Sequence, residues 1–312
     1  MKSFHLLTIV AIFATLLFVP SCSPETTISG VDTALAPPSS YLKFEDRAGF
    51  EAFLQQMQLS EDQSSFVSGK FNGFKSYADL YNSFDWNTLE GNGTIKSIAD
   101  YDEYPVSVLK VGSEFEIQPI VDANLLSYVV DENRMVQVGD SLYQVNRDEV
   151  LRVAAEGNDL TDLQMSPDAD RFAIYRSESI GIQKAFASCS NLYTYRGDLH
   201  RLQGIWKEVQ AYLYNEISIQ TEHRKRGLLN NWYANKEKSI RVSHSTVIID
   251  NGGVQEVFGP DSRTKYDASD CKITLHWSVL WFTGVNVESG SSSHSSQETG
   301  VNPSPSCNIT VN

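Results

Sequence analysis

Apolar and polar residues recur along this chain with two different periods, and the change of period divides it. Phe50, Phe53, Leu54 and Met57 fall at i, i+3, i+4 and i+7, the apolar stripe of an amphipathic helix, and Asp46 stands where its N-cap belongs. Ser60 with Gln63 three residues on is a capping-box pattern that opens a second helix burying Phe66. Asp122 is placed to cap a third, with Leu125, Leu126, Val129 and Val130 on its apolar face. Tyr41–Phe44 reads as a short strand. In Met135–Val145 two alternating runs flank Gly139-Asp140, which predicts a β-hairpin.

Further on, the period of two dominates. In Gly204–Tyr214, Ile205, Val209, Ala211 and Leu213 share one strand face with Lys207, while Trp206, Glu208, Gln210, Tyr212 and Tyr214 share the other. Ile217, Ile219 and Thr221 continue the pattern on a return strand, and Ile240–Ile249 is a further strand rich in β-branched residues. Ile273, Leu275, Trp277, Val279 and Trp281 occupy every second position, so that face must be buried. The expected fold class is α+β: residues 41–190 a mixed part with short helices and a hairpin, residues 191–288 an antiparallel, sandwich-like β part. Residues 289–312, opening on a serine-rich run, are expected to form a low-complexity, mobile tail.

The N-terminus reads as an address. Lys2 precedes an apolar run, Leu6–Val19, too short to span a bilayer comfortably but suited to a signal peptide over residues 1–21. Val19-Pro20-Ser21-Cys22 looks like a lipobox, which makes Cys22 the lipidation site and residues 22–40, rich in Ser, Thr and Pro, a solvated tether. Ser23 after the cysteine points to the outer membrane. The expected location is thus the cell envelope, with the membrane a partner through the lipid.

Charge sharpens the division. The chain carries a formal −14, yet residues 22–190 hold 27 Asp+Glu against 12 Lys+Arg, whereas residues 191–312 hold 12 of each. This acidic balance argues against nucleic acid, which needs a cationic footprint. Trp86 is the one tryptophan before residue 190; Trp206, Trp232, Trp277 and Trp281 follow it.

With Cys22 lipidated, Cys189, Cys271 and Cys307 allow three pairings. A bridge from Cys307 to Cys271 or Cys189 would staple the tail, Cys271–Cys307 being the candidate. No CxxC, HExxH or helical His pair occurs, so no metal site and no cofactor is expected; His244 and His276 lie on predicted strands where they could meet. Asp168-Ala-Asp170 lacks the rest of a calcium loop. GxSxG, Walker A, GxGxxG and SxxK patterns are missing too, and the Gly290–His294 serine tract, read as tail, is a poor place for a nucleophile. Acid pairs such as Asp102/Glu103 and Glu114/Glu116 read as solvated faces.

Two features carry a sharper hypothesis. Trp206, Tyr212 and Tyr214, if exposed, would make a stacking platform for sugar rings; otherwise they pack under a second layer. His223-Arg224-Lys225-Arg226 with Trp232 would meet a phosphate or carboxylate, or else form a charged turn between strands, so Arg224, Arg226 and Trp232 join the candidate contacts.

The segment Asp122–Val145, with its Leu-rich helix leading into a VQVGDxxYxV hairpin, resembles a recurring segment of uncharacterised Bacteroidota lipoproteins. Trp206 and Arg224–Trp232 are similar to the C-terminal part of that group. The resemblance implies an envelope lipoprotein and carries no catalytic residue. The function expected is a non-catalytic binding module with an envelope protein or carbohydrate as partner. An envelope hydrolase with a dispersed site and a structural subunit of an outer-membrane assembly are the alternatives.

Overall fold

The structure is a computed structural model and describes residues 41–155, 172–176, 183–211, 213–279, 285–297 and 304–312. Its helices are α1 Arg47–Gln58, α2 Gln63–Lys70, α3 Tyr77–Ser83, α4 Trp86–Gly91 and α5 Leu126–Val129, with a 3-10 helix at Ile98–Glu103. Its strands are β1 Leu42–Phe44, β2 Val106–Val111, β3 Glu114–Pro119, β4 Met135–Val138, β5 Ser141–Val145, β6 Glu149–Ala154, β7 Phe172–Arg176, β8 Gln183–Tyr195, β9 Asp198–Ala211, β10 Tyr214–Arg226, β11 Asn231–Ala234, β12 Glu237–His244, β13 Val247–Asn251, β14 Val254–Phe258, β15 Asp261–Ala268, β16 Asp270–Ser278, β17 Val285–Gln297 and β18 Ser306–Val311. The fold is α+β, with antiparallel-rich, sandwich-like sheets.

Local chemistry sets the helix ends. The Asp46 carboxylate accepts the Gly49 N–H at 2.8 Å and starts α1, whose Phe50, Phe53, Leu54 and Met57 are all buried. The next cap shifts by two residues from the expected Ser60. Asp62 accepts from Ser65 N and opens α2, while Gln63 donates back to the Ser60 carbonyl. Asp122 caps nothing. The short α5 has no side-chain cap, and the Asp122 carboxylate is taken by two lysines instead. The hairpin forms as β4 and β5, joined through Gly139 at φ 61°.

A first sheet runs β1-β4-β5-β6-β7, with β1 parallel to β4. A central sheet runs β2-β3-β11-β10-β9-β8, and β16 pairs the first half of β10 where β11 pairs the last residues. A third sheet runs β14-β13-β17-β12-β15, with β18 on β17. The central sheet is covered on both faces. Val209, Ala211, Tyr214 and Val279 enter the core beneath α1, α2 and α5, while Trp206, Ile217, Ile219 and Ile273 pack on the third sheet.

Four expectations are corrected here. The boundary after residue 190 falls inside β8, and β3 from the acidic part joins β11 in register Asn231↔Phe115, so the charge asymmetry marks surfaces and not a break between sheets. The described residues of the expected tail, 289–297 and 304–312, are instead built into the third sheet as β17 and β18. Ser-rich β17 is paired by β12, β13 and β18, and its small Gly290 and Ser292 make room for Trp206 of the facing sheet. The bridge is Cys189–Cys307, not Cys271–Cys307, with Cα atoms 5.9 Å apart; Cys271 is a buried free thiol. Finally, the alternating face of β16 is split. A register shift opposite Ile217/Ser218 leaves Ile273 and Leu275 on the third-sheet side and sends Trp277 and Val279 toward the helices. Trp281 and Asp168–Asp170 lie outside the described residues.

Candidate functional site

β10 carries two opposite faces. Ile217, Ile219 and Thr221 look to the third sheet, whereas Glu216, Ser218, Gln220, Glu222 and Arg224 form an unbroken polar stripe toward α3 and the loop before α5. Every member of that stripe is buried, from 0% exposed at Ser218 to 7% at Glu222. A buried polar stripe on a central strand is costly unless each group is paired. Its Gln220, Glu222 and Arg224 line a cleft of about 50 Å³, together with Tyr77 and Tyr81 of α3 and Asp270 and Lys272 of β16.

The charges in the cleft are settled internally. Lys207 of β9 and Lys272 each reach a different oxygen of Asp122 at 2.6 Å, and Lys272 also lies 3.5 Å from Asp270. Burial alone would raise the Asp122 carboxyl, but the two lysines outweigh it and hold the group well below its ordinary value. Asp270 is likewise lowered, burial being outweighed by Lys265 and Lys272. Burial would lower Lys272, yet its two acids raise it. Lys207 goes down, because burial and the neighbouring Lys272 together exceed the pull of the shared Asp122. Deeper on the floor, Arg224 donates to Glu222 at 2.6 Å and to the Ile117 carbonyl at 2.9 Å. Tyr77 OH is used twice, donating to Pro105 O and accepting from Ile120 N.

Three acceptors on the stripe are left over. Gln220 Oε1, lining the cleft, and Ser218 Oγ and Glu216 Oε1, further along the strand, meet no hydrogen-bond partner within the protein. Asp122 and Asp270 stay ionised and cannot give a proton near neutral pH, and Lys272 stays charged. The cleft therefore presents fixed, balanced charge and spare acceptors, an arrangement for holding a neutral polar molecule.

The expected contacts are distributed differently. Trp206 and Tyr214 are fully buried on opposite faces of the central sheet, Trp206 donating to Ser292 Oγ at 2.6 Å and Tyr214 to Glu216 at 2.6 Å, so they form no exposed stacking platform. Tyr212 and Cys22 lie outside the described residues. Trp232 is buried beneath the Arg201 guanidinium, 4.6 Å from its ring, and donates to Glu114. Arg226 pairs with Glu114 and Asn230 at the mouth of the β10–β11 hairpin. Of the basic run, His223 and Arg224 line the cleft, with the His223 ring bonded to Glu237 and His200. His244 and His276 do not meet: His244 bonds Ser245 O and His276 bonds Glu256. The polar stripe of β10 was legible as Glu, Ser, Gln, Glu and Arg at every second position; what hid it was the default that a polar strand face meets water.

The chain is similar to a crystal structure of a DUF4848 family protein from Bacteroides thetaiotaomicron VPI-5482, at 13% identity and a TM-score of 0.25, covering 87% of this chain and 96% of that one. A TM-score of that size carries no argument about fold or function. No protein-family model matches the chain, and no curated protein does. Among the described residues, no helix is long and apolar enough to cross a membrane.

Proposed function

We propose that this is a lipid-anchored cell-envelope protein, held to the outer membrane through Cys22, that acts by binding a small, neutral, hydroxyl-rich ligand such as a sugar unit of an envelope glycan. The anchor rests on the apolar run, the lipobox-like Val19–Cys22 and the polar tether. The ligand class rests on the β10 stripe. At the cleft the Glu222–Arg224 and Asp122–Lys272 charges are already paired, which disfavours an ionic ligand, while the buried Gln220 Oε1 needs a donor that the protein does not provide. A buried acceptor without a partner costs about 1–3 kcal/mol, and a ligand hydroxyl recovers that amount.

The test is an NMR titration of the purified protein with neutral mono- and oligosaccharides, following the Gln220 side-chain amide and the cleft tyrosines. Binding that perturbs these signals, and weakens about tenfold or more in Gln220→Leu, is expected. Saturating sugar with no change in the cleft overturns the ligand reading. Separately, Cys22→Ala should release the protein from the membrane fraction; retention there overturns the anchor.

A further inference from the structure

On the other face of the central sheet, at its junction with the third, three side chains converge that no sequence spacing connects. His200 of β9 and His223 of β10 are diagonal neighbours, since His200 pairs with Lys225 and His223 with Leu202. Glu237 opens β12 from the third sheet. Each of the three places a possible ligand atom within 4.8 Å of the other two, and all are buried. Tyr193 of β8 stacks on His200, ring centroids 5.4 Å apart, and closes the site toward solvent.

The protonation pattern follows from the partners. His223 Nδ1 faces the Asn235 carbonyl at 2.8 Å and the Glu237 carboxylate at 2.9 Å, both acceptors, so Nδ1 carries the proton. The opposite nitrogen, Nε2, then points at His200 Nδ1, 3.3 Å away, and at the Tyr193 hydroxyl, 2.8 Å away. Two ligand atoms on a tetrahedral ion with bonds of about 2.0–2.1 Å stand roughly 3.3 Å apart, which is the spacing of these nitrogens. A carboxylate behind a ligating imidazole is also the usual means of fixing its tautomer and raising its basicity.

We infer that His200 Nδ1 and His223 Nε2, with the Tyr193 hydroxyl at the rim, bind one divalent ion of the zinc type, and that Glu237 orients His223 and balances the charge. The ion clamps the central sheet to the third. This site is on the face opposite the sugar cleft, so either can fail without the other.

The experiment is calorimetric titration of chelator-treated protein with Zn²⁺, alongside long-range imidazole NMR of the unsubstituted protein. One ion per chain is expected, with shifts at His200 and His223 but not at His244, His276 or His294. His223→Gln should abolish the stoichiometric site, and Glu237→Gln should weaken it about 10–100-fold. Circular dichroism checks that each variant folds. No stoichiometric uptake, or shifts confined to other histidines, overturns the inference whatever the variants do.

Discussion

The imidazole of His294 on β17 lies so close against Gly204 on β9 that any Cβ at position 204 would fall inside its ring contacts. One strand's glycine thus makes room for the other's side chain. The relation repeats in reverse nearby, where a Cβ at Gly290 would stand 2.8 Å from the Trp206 ring. Gly204→Ala is therefore expected to cost about 2–3 kcal/mol through overpacking between the two sheets. Gly69, in α2 with nothing within 4 Å of its would-be Cβ, is the control; Gly69→Ala should lose nothing and gain up to about 1 kcal/mol. Urea melts with unchanged slopes would measure both. Equal stability of Gly204→Ala and wild type would contradict the packing described.

His294 also predicts a pH dependence. Thr221 Oγ1 donates to the Arg241 carbonyl, so it accepts from His294 Nδ1–H; Ser292 accepts from Trp206 and donates to His294 Nε2. This chain of bonds is complete only with a neutral ring, and burial pushes the group down to about 4 from an ordinary 6.5. The unfolded chain takes up this proton first. The stability His294 contributes is therefore full above about pH 6.5 and lost as pH falls toward 4, by about 3 kcal/mol. In His294→Gln that slope should vanish from denaturation midpoints measured between pH 4 and 6.5, even though the variant starts less stable. A slope that survives the substitution belongs to another group.

Asp122 acts in a lower window. Its carboxyl is held below its ordinary 3.8, so its stabilisation is intact above that value and fades as pH falls toward the folded one. Asp122→Asn leaves Lys207 without its carboxylate partner in a buried site and should destabilise by about 3–5 kcal/mol at neutral pH. Replacing Lys207 with Met at the same time should recover part of that loss, because the orphaned charge goes with it. Thermal melts of the single and double variants decide the matter, and a double variant worse than Asp122→Asn would rule this account out.

Elements with a strict period and a local cap were readable from the residues alone. Phe50 to Met57 formed the buried stripe of α1 under an Asp46 cap, and Gly139-Asp140 turned the hairpin, because a few neighbours determine both. What depended on distant chain was hidden. The serines of β17 carry no apolar signal; they form a strand because β12, β13 and β18 pair with it and because Ser292 and Gly290 fit around Trp206. The cleft and the His200–His223 pair arise from cross-strand register, which single-chain spacing does not contain. The burial of β10's polar face is hidden in a different way, since alternation locates two faces without saying what covers either.

Cys189 on β8 and Cys307 on β18 close 118 residues and tie the end of the third sheet to the edge of the central one. Opening such a loop releases chain entropy in the unfolded state, so Cys189→Ser with Cys307→Ser should lower stability by about 2–5 kcal/mol. Cys271 behaves oppositely. It is fully buried, its Sγ–H donates to the Arg263 carbonyl at 3.4 Å, and burial pushes the thiol up to about 11, so little thiolate exists near neutral pH. In protein with Ser at position 22, a thiol reagent should label no cysteine in the native state, one in denaturant, and three after reduction in denaturant. Rapid native labelling of Cys271, or a peptide map joining it to Cys307, would refute this pairing. Unchanged melting after reduction would show instead that the sheets hold without the bridge.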